Sequence, residues 1–289
     1  MPDLSGRVVL VTGASSGIGL AASRELAAMG AELVLVGRDA GRLAAAEAEV
    51  KAAGAAAAKP GPVSSLRCDF AALAEVRALA AEVLRRWPRL HVLVNNAGGV
   101  SGAREVTADG YERTFAVNHL APYLLTRLLL DRLKESAPAR VVTVASTGHH
   151  RGDLDFSDLQ MERGYAIMRA YGRSKLANIL FTRELARRLA GSRVTATCLH
   201  PGAVATRIWD GAPSFARVVI ALAKRLMLSP EKGARTIVQL AAAPDAEVAR
   251  YGGVYLEKGK PAKPSALARD DQLARRLWDE SARLVGVES

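Results

Sequence analysis

A tyrosine and a lysine stand four residues apart in the run Tyr171-Gly172-Arg173-Ser174-Lys175. On a helix this spacing puts both side chains on one face, with about 6 Å of axial rise between them. The lysine ammonium favours the phenolate, so we expect the pKa of the phenol to fall from about 10 towards the physiological range. Such a phenol can give a proton to a carbonyl oxygen or take one from an alcohol. A solvated helix face would show the same spacing, so the rest of the chain must decide.

The start of the chain predicts a phosphate-binding loop. Residues 7–11 form a continuous apolar strand, residues 12–19 a glycine-rich turn, and residues 20–29 a helical run. Gly13 and Gly17 allow a tight turn with close backbone approach, and Gly19 lets the helix pack on the strand. The order of strand, turn and helix favours a pyrophosphate site over a plain turn.

The end of the second predicted strand, residues 32–36, indicates which dinucleotide binds. The chain continues as Gly37-Arg38-Asp39. An acidic residue at this point accepts from a free ribose 2′-hydroxyl, whereas an arginine pairs with a 2′-phosphate. Gly37 has no side chain for the ribose and Arg38 follows at once, which favours NADP(H) over NAD(H). Asp39 leaves the NAD(H) alternative open, and Arg38 could instead be a solvated charge at a helix start.

Polar residues follow most of the other predicted strands. Asp69 follows residues 65–68 and is a candidate for the adenine amino group or for the N-cap of a helix over 71–86. Asn95-Asn96-Ala97-Gly98 follows residues 91–94, and Ser146 follows residues 140–145. Open parallel sheets bind their ligands at this edge. Asn118 lies in apolar company within a helical run over 111–134, so it is either structural or functional.

The alternation of strands and helices predicts the fold class. We expect an α/β protein: a single Rossmann-like domain over residues 1–289, with a doubly wound parallel sheet and helices on both faces. Strand six, residues 194–199, ends in His200-Pro201-Gly202, which could aim backbone groups at a nicotinamide. A C-terminal helix is expected over about 266–285.

Composition narrows the function classes. Of 289 residues, 49% are hydrophobic and 24% charged, as in soluble globular proteins. A net charge of +11 does not predict nucleic-acid binding, because the basic residues are scattered and aromatic residues make up only 5%. Without a signal segment or a long apolar run we expect a cytoplasmic protein with no membrane span. Cys68 and Cys198 are expected to be buried free thiols.

No metal site is expected. His149 and His150, with Asp153 and Asp155, are adjacent rather than spaced for one face, which is typical of a solvated loop.

These motifs together make the chain resemble the short-chain dehydrogenase/reductase family, and within it the retinol dehydrogenase-like branch. The branch is indicated by residues 174–178 and 181–185, His200-Pro201-Gly202 and residues 274–278. The membrane-bound retinol dehydrogenases carry an N-terminal anchor before the first strand. We do not expect an anchor here, and this difference weakens the expectation of retinoid specificity.

The resemblance implies a role for each matching residue. Tyr171 is implied as the proton donor or acceptor, and Lys175 as the residue that lowers the pKa of Tyr171 and holds the nicotinamide ribose. Ser146 is implied to hydrogen-bond the substrate oxygen, and Asn118 to position a water in the proton relay. Arg38 would take the 2′-phosphate and Asp69 the adenine. The remaining cofactor residues are implied to be Gly13, Ser15, Ser16, Gly17, Ile18, Gly19, Asn95, Ala97, Val204 and Thr206, with Asn96 bracing the sheet.

The predicted function is an NADP(H)-dependent carbonyl reductase or alcohol dehydrogenase for an apolar small molecule. The substrate would be covered by an apolar lid over residues 207–228, whose Arg217, Lys224 and Arg225 could also rest on a membrane surface. The alternatives are an NAD(H)-dependent alcohol dehydrogenase and, less favoured, a non-catalytic NADP(H)-binding regulator. As a further partner we expect a second copy of the chain, in a homodimer or homotetramer.

Overall fold

Short apolar strands alternate with helices and pair side by side into a twisted sheet. The computed structural model describes residues 2–204 and 227–288, and within them the sheet has eight strands in the order β3-β2-β1-β4-β5-β6-β7-β8. All pairs are parallel except the last. The strands are β1 (Val8–Thr12), β2 (Glu32–Gly37), β3 (Val63–Arg67), β4 (Val92–Asn95), β5 (Ala139–Val144), β6 (Val194–His200), β7 (Tyr255–Glu257) and β8 (Lys260–Pro261).

Helices cover both faces of this sheet. Each face has its own apolar core, because β1, β4 and β5 are buried on both sides and their side chains alternate between the two. This arrangement confirms the predicted single α/β domain with a doubly wound sheet. The helices are α1 (Gly17–Ala28), α2 (Ala40–Gly54), α3 (Leu73–Arg86), α4 (Arg113–Phe115), α5 (Ala121–Glu135), α6 (Ile167–Arg188), α7 (Pro230–Ala242), α8 (Asp245–Ala249) and α9 (Asp271–Val285).

The helix that carries Tyr171 and Lys175 is held from outside by the C-terminal helix. Trp278 of α9 stacks on Phe181 of α6 with ring centroids 5.9 Å apart, and it meets Tyr123 of α5 edge-on at 5.1 Å. All three rings are buried, so this packing fixes α6 against α5.

Several element boundaries differ from the sequence prediction. The run over 111–134 is interrupted by a π-helix at Ala116–Leu120 between α4 and α5. The C-terminal helix starts at Asp271 rather than near 266, because the carboxylate of Asp270 accepts from the N–H groups of Gln272 and Leu273 and caps it there. Before it lies a short 3₁₀ turn, Leu267–Arg269. Strands β7 and β8 and helix α7 had no sequence prediction.

Two predicted features fall on residues outside this description. The lid over 207–228 is described only at Met227 and Leu228, and Thr206 is not described. Among the described residues, no helix combines the length and the apolar character that a membrane crossing needs.

Candidate active site

The carboxyl ends of the central strands open into a cavity of about 910 Å³. The turns after β1, β2, β3, β4, β5 and β6 line it, as does the first part of α6. The cavity therefore joins the predicted phosphate loop to the predicted catalytic residues. The site residues on its wall are Gly13, Ser15, Ser16, Gly17, Ile18, Arg38, Asp69, Ala97, Ser146, Tyr171, Lys175 and Val204.

The loop between β1 and α1 has the form of a phosphate cradle. Gly13 and Gly17 have φ angles of +68° and +57°, a region that disfavours other residues. Gly19 does not line the cavity; a Cβ there would collide with the carbonyl of Gly13, so its role is the close packing of α1 on the loop. Among the described residues no side chain caps the first turn of α1, and that turn carries no acidic residue. Its N–H groups and the helix dipole fit a pyrophosphate.

At the end of β2 the cavity wall carries two guanidinium groups, from Arg38 and Arg42. Asp39, the residue that kept NAD(H) binding as an alternative, makes its contacts within the protein. Its Oδ1 accepts from the backbone N–H of Arg42 at 2.8 Å and caps α2, and its Oδ2 lies 3.5 Å from the Arg42 guanidinium. The backbone hydrogen bond to Arg42 is the main cause of a lowered pKa at Asp39.

Asp69 lies on the other side of this wall. Its Oδ2 is 4.0 Å from the Arg38 guanidinium, and its Oδ1 accepts from the backbone N–H of Ala71 at 3.0 Å. It does not cap α3, which begins at Leu73 with Ala72 as its N-cap. The N–H of Leu73 instead donates to Asp109 at 2.9 Å.

The two asparagines after β4 have different surroundings. Asn95 is buried, and its Nδ2 donates to Thr126 Oγ1 on α5 at 2.9 Å, so the structure does not place its side chain on the cavity wall. Asn96 lines the cavity while its Nδ2 donates to the carbonyl of Thr12 at 2.8 Å. Asn96 thus ties β4 to the phosphate loop, which is the bracing contact expected from the sequence.

Lys175 is a buried cation at the catalytic end. It is 3% exposed, its Nζ donates to the carbonyl of Val144 at 3.0 Å, and burial lowers its pKa to about 8. Asn178, one turn further along α6, donates to the same carbonyl at 3.4 Å. The end of β5 therefore fixes the position of the ammonium.

Tyr171 and Ser146 lie close together because the backbone packs tightly between them. The 3₁₀ helix Thr147–Arg151 lies directly on α6, because Gly148 and Gly172 lack side chains at the contact. A Cβ on Gly148 would stand 2.9 Å from the Tyr171 ring and 3.4 Å from Ser146 Oγ. The same hydroxyl accepts from the N–H of Gly148 at 3.1 Å. The geometry thus holds the serine hydroxyl beside the phenol.

The pKa of the Tyr171 phenol is raised, chiefly by burial, and a hydrogen bond with Ser146 opposes that rise. The sequence prediction of a pKa lowered by Lys175 is therefore wrong in direction. The physical reason is that desolvation of the phenol outweighs the hydrogen bond with Ser146, while the Lys175 Nζ lies 5.7 Å from the ring centroid.

Asn118 lies within the π-helix, and it holds the loop after β4. Its Nδ2 donates to the carbonyl of Gly99 at 2.9 Å and to Ser174 Oγ at 3.0 Å, while its Oδ1 accepts from the N–H of Gly99 at 2.8 Å. The side chain is completely buried. Asn118 therefore connects the π-helix, the loop and α6 at a single point near Lys175.

A family model described as short chain dehydrogenase matches residues 7–215. The chain belongs to the short-chain dehydrogenase family. Retinol dehydrogenase 14 of Mus musculus is 41% identical over 293 residues, which cover 98% of this chain and 87% of the relative. Retinol dehydrogenase 11 of Homo sapiens is 42% identical over 287 residues, covering 99% and 87%. These relatives confirm the resemblance to the retinol dehydrogenase-like branch.

Solved structures lead to the same family. An uncharacterised protein of Mycobacterium paratuberculosis superposes with a TM-score of 0.78 at 33% identity, covering 100% of this chain and 96% of the other. A short chain dehydrogenase of Burkholderia cenocepacia, solved in complex with NADP, has a TM-score of 0.68 at 27% identity, covering 88% and 96%. This short-chain dehydrogenase is accordingly an oxidoreductase that uses a nicotinamide cofactor.

Sequence reasoning missed some residues on the cavity wall of this short-chain dehydrogenase. Arg42 could have been found, since it lies in the first turn of the helix that begins directly after Arg38 and Asp39. The other missed residues are spread over the loop after β4, α4, the π-helix, the 3₁₀ helix and the start of α6, so no single local pattern in the sequence joins them. They are Val100, Ser101, Glu105, Arg113, Thr114, Val117, His150, Arg151 and Met168.

Proposed function

We propose that the protein is an NADP(H)-dependent carbonyl reductase or alcohol dehydrogenase that acts on an apolar small molecule. The observation that carries the proposal is one continuous cavity with Arg38 and Arg42 at one end and Ser146, Tyr171 and Lys175 at the other. A bound nicotinamide supplies or accepts the hydride, and the protein supplies orientation and the proton.

The cofactor preference follows from the charges after β2. Gly37 has no carboxylate for a ribose 2′-hydroxyl, and the Asp39 carboxylate is engaged in capping α2 and pairing with Arg42. Arg38 and Arg42 offer two guanidinium groups that fit a 2′-phosphate. The phosphate loop would hold the pyrophosphate, and Asp69 stays our proposal for the adenine. We retain Thr206 and the backbone of Asn95 as proposed cofactor residues.

The catalytic roles follow from the geometry at α6. The Tyr171 hydroxyl would donate its proton to the carbonyl oxygen during reduction, or accept the hydroxyl proton during oxidation. Ser146 Oγ, held beside the phenol, would hydrogen-bond the same substrate oxygen. Lys175, when protonated, favours the phenolate that remains after proton donation and would bind the nicotinamide ribose. Asn118 would support the water relay through the backbone that its side chain fixes.

The substrate class is supported by the relatives, which are named retinol dehydrogenases, since retinol is an apolar alcohol. Val100, Val117 and Met168 give an apolar part to the wall of the cavity that Tyr171 also lines. A lid over residues 207–228, a cytoplasmic location and a homodimer or homotetramer stay predictions from the sequence.

The test is a panel of short and long aldehydes, ketones and primary alcohols, each offered with NADPH or NADP⁺ and with NADH or NAD⁺ and followed by cofactor absorbance. We expect turnover of apolar compounds, with NADP(H) preferred. Equal rates with both cofactors would contradict the cofactor assignment. Tight NADPH binding without turnover of any compound would instead identify a non-catalytic NADP(H)-binding protein.

A further inference from the structure

Arg173 is a buried cation on the catalytic helix that the proposed chemistry does not use. It lies two residues after Tyr171 on α6 and is only 1% exposed. A guanidinium this deeply buried must be matched by acceptors, so the identity of those acceptors shows what it holds in place.

Within the described residues, every hydrogen bond from the Arg173 side chain goes to one segment. Its Nε donates to the Asp153 carbonyl at 3.2 Å, its Nη1 to the carbonyls of Asp158 at 2.5 Å and Leu159 at 2.9 Å, and its Nη2 to Asp153 Oδ1 at 3.3 Å. These acceptors belong to residues 153–165, which we call the insertion and which lies between the 3₁₀ helix and α6. Arg173 therefore fastens the insertion to the catalytic helix.

The insertion also makes hydrogen bonds to a second segment, which lies between β4 and the π-helix. The Gln160 side-chain oxygen accepts from the N–H of Glu112 at 2.7 Å, and its backbone carbonyl accepts from Arg104 Nε at 3.1 Å. The Tyr165 hydroxyl donates to the Ser101 carbonyl at 3.3 Å. These three hydrogen bonds, and an ion pair between Arg104 and Glu162 at 3.9 Å, link the insertion to residues 100–114, which we call the wall segment.

The wall segment lines the same cavity as Tyr171. Val100, Ser101, Glu105, Arg113 and Thr114 all contribute to that surface. Its Glu112 is buried, and the carboxylate accepts from the N–H groups of Thr114 and Phe115 at 2.7 and 2.8 Å. The capped turn leads directly to the π-helix.

We propose that Arg173 is a positioning residue that sets the substrate-side wall of the cavity through the insertion, and so decides the size of apolar substrate that fits. This rests on the proposed carbonyl reductase activity. Because wall, insertion and catalytic helix are joined by polar contacts, moving the insertion shifts the wall relative to Tyr171 but leaves the phosphate loop unaffected.

The test compares four variants of the full chain with wild type, using butanal as a small carbonyl and dodecanal as a large one. In Arg173→Met the KM for dodecanal should rise about tenfold, the range over which pocket contacts discriminate apolar groups. The kcat for both aldehydes, the KM for butanal and the Kd for NADPH should stay unchanged. Arg173→Lys, with a single charged donor group, should give an intermediate rise.

Two variants separate positioning from general destabilisation. Gln160→Ala cuts the link to Glu112 without disturbing a buried charge, and it should raise the dodecanal KM in the same selective way; it decides the matter if Arg173→Met does not fold. Arg183→Ala removes a surface ion pair from the same helix to Asp271 of α9, at 2.5 Å and outside the insertion, and should change neither KM. An unchanged dodecanal KM in folded Arg173→Met or Gln160→Ala, or equal losses for both aldehydes, would overturn the proposal.

Hydrogen exchange tests the same link without turnover. In Arg173→Lys the amides of residues 101–113 should exchange faster than in wild type, while those of the phosphate loop should not change. If the wild type reduces no carbonyl, the proposed function fails, yet this measurement still decides whether Arg173 holds the wall segment. Unaltered exchange in 101–113 would show that it does not.

Discussion

The adenosine end and the catalytic end of the cavity differ in how far their charged groups are exposed. The side chains of Arg38 and Arg42 are 55% and 43% exposed, whereas Lys175 is 3% exposed. An exposed guanidinium attracts an anion by a force that water and salt weaken. A buried ammonium changes its own affinity for protons instead, which is why the pKa of Lys175 falls to about 8. Both ends of the cavity thus use positive charge, but the arginines at the adenosine end are exposed to solvent and the lysine at the catalytic end is buried.

The largest expected effect is a loss of turnover from a substitution at the catalytic end of the cavity. Tyr171→Phe removes one hydroxyl and should lower kcat by about 10²–10⁴-fold, the usual contribution of a positioned acid. The NADPH affinity should be nearly unchanged, as measured by fluorescence titration. Tyr251→Phe is the matched control, because Tyr251 lies in the turn before β7 and does not line the cavity. If Tyr171→Phe kept more than about a tenth of the wild-type rate, Tyr171 would not be the proton donor.

A pH series of unfolding measurements tests the buried lysine. Below pH 8 Lys175 is protonated in both the folded and the unfolded chain, so the full cost of burying its charge is present. Between about pH 8 and its ordinary value of 10.5 only the unfolded chain keeps the proton, so stability rises with pH across that window. Relative to Lys175→Met, the wild type should gain about 3 kcal/mol of unfolding free energy.

The control for this series is Lys134→Met, since Lys134 is about half exposed and pairs with Asp131 on the surface. Its difference from wild type should not change over the same window. If the difference in unfolding free energy between wild type and Lys175→Met also stayed constant with pH, Lys175 would not be desolvated in the folded protein.

The smallest expected effect concerns the exposed end. Arg38→Ala should weaken NADPH binding about tenfold, the lower part of the range for a charge-assisted contact, because the side chain is exposed. NADH affinity should stay the same, and the NADPH difference should shrink as salt is added. Arg24→Ala is the control, since Arg24 pairs with Glu49 outside the cavity. Equal weakening of NADH and NADPH would contradict a contact with the 2′-phosphate.

Local pattern in the chain determined the alternation of strands and helices, the glycine turn and the position of Tyr171 one helical turn from Lys175. These follow from periodicity and from residues within a few positions of one another, so no long-range contact is needed to infer them. The placement of Ser146 and Asp69 on the cavity wall follows in the same way, because parallel strands end at one edge of their sheet.

Tertiary structure alone decided which neighbour of a pair faces the cavity and what each charge contacts. Asn95 and Asn96 are adjacent in sequence, yet only the packing of α5 against β4 turns Asn95 towards Thr126. The direction of the Tyr171 pKa shift depends on how deeply the folded chain buries the phenol. The acceptors of Arg173, in the insertion, are likewise known only once the chain is folded. Solvent exclusion is a property of the whole fold, and no local spacing of residues contains it.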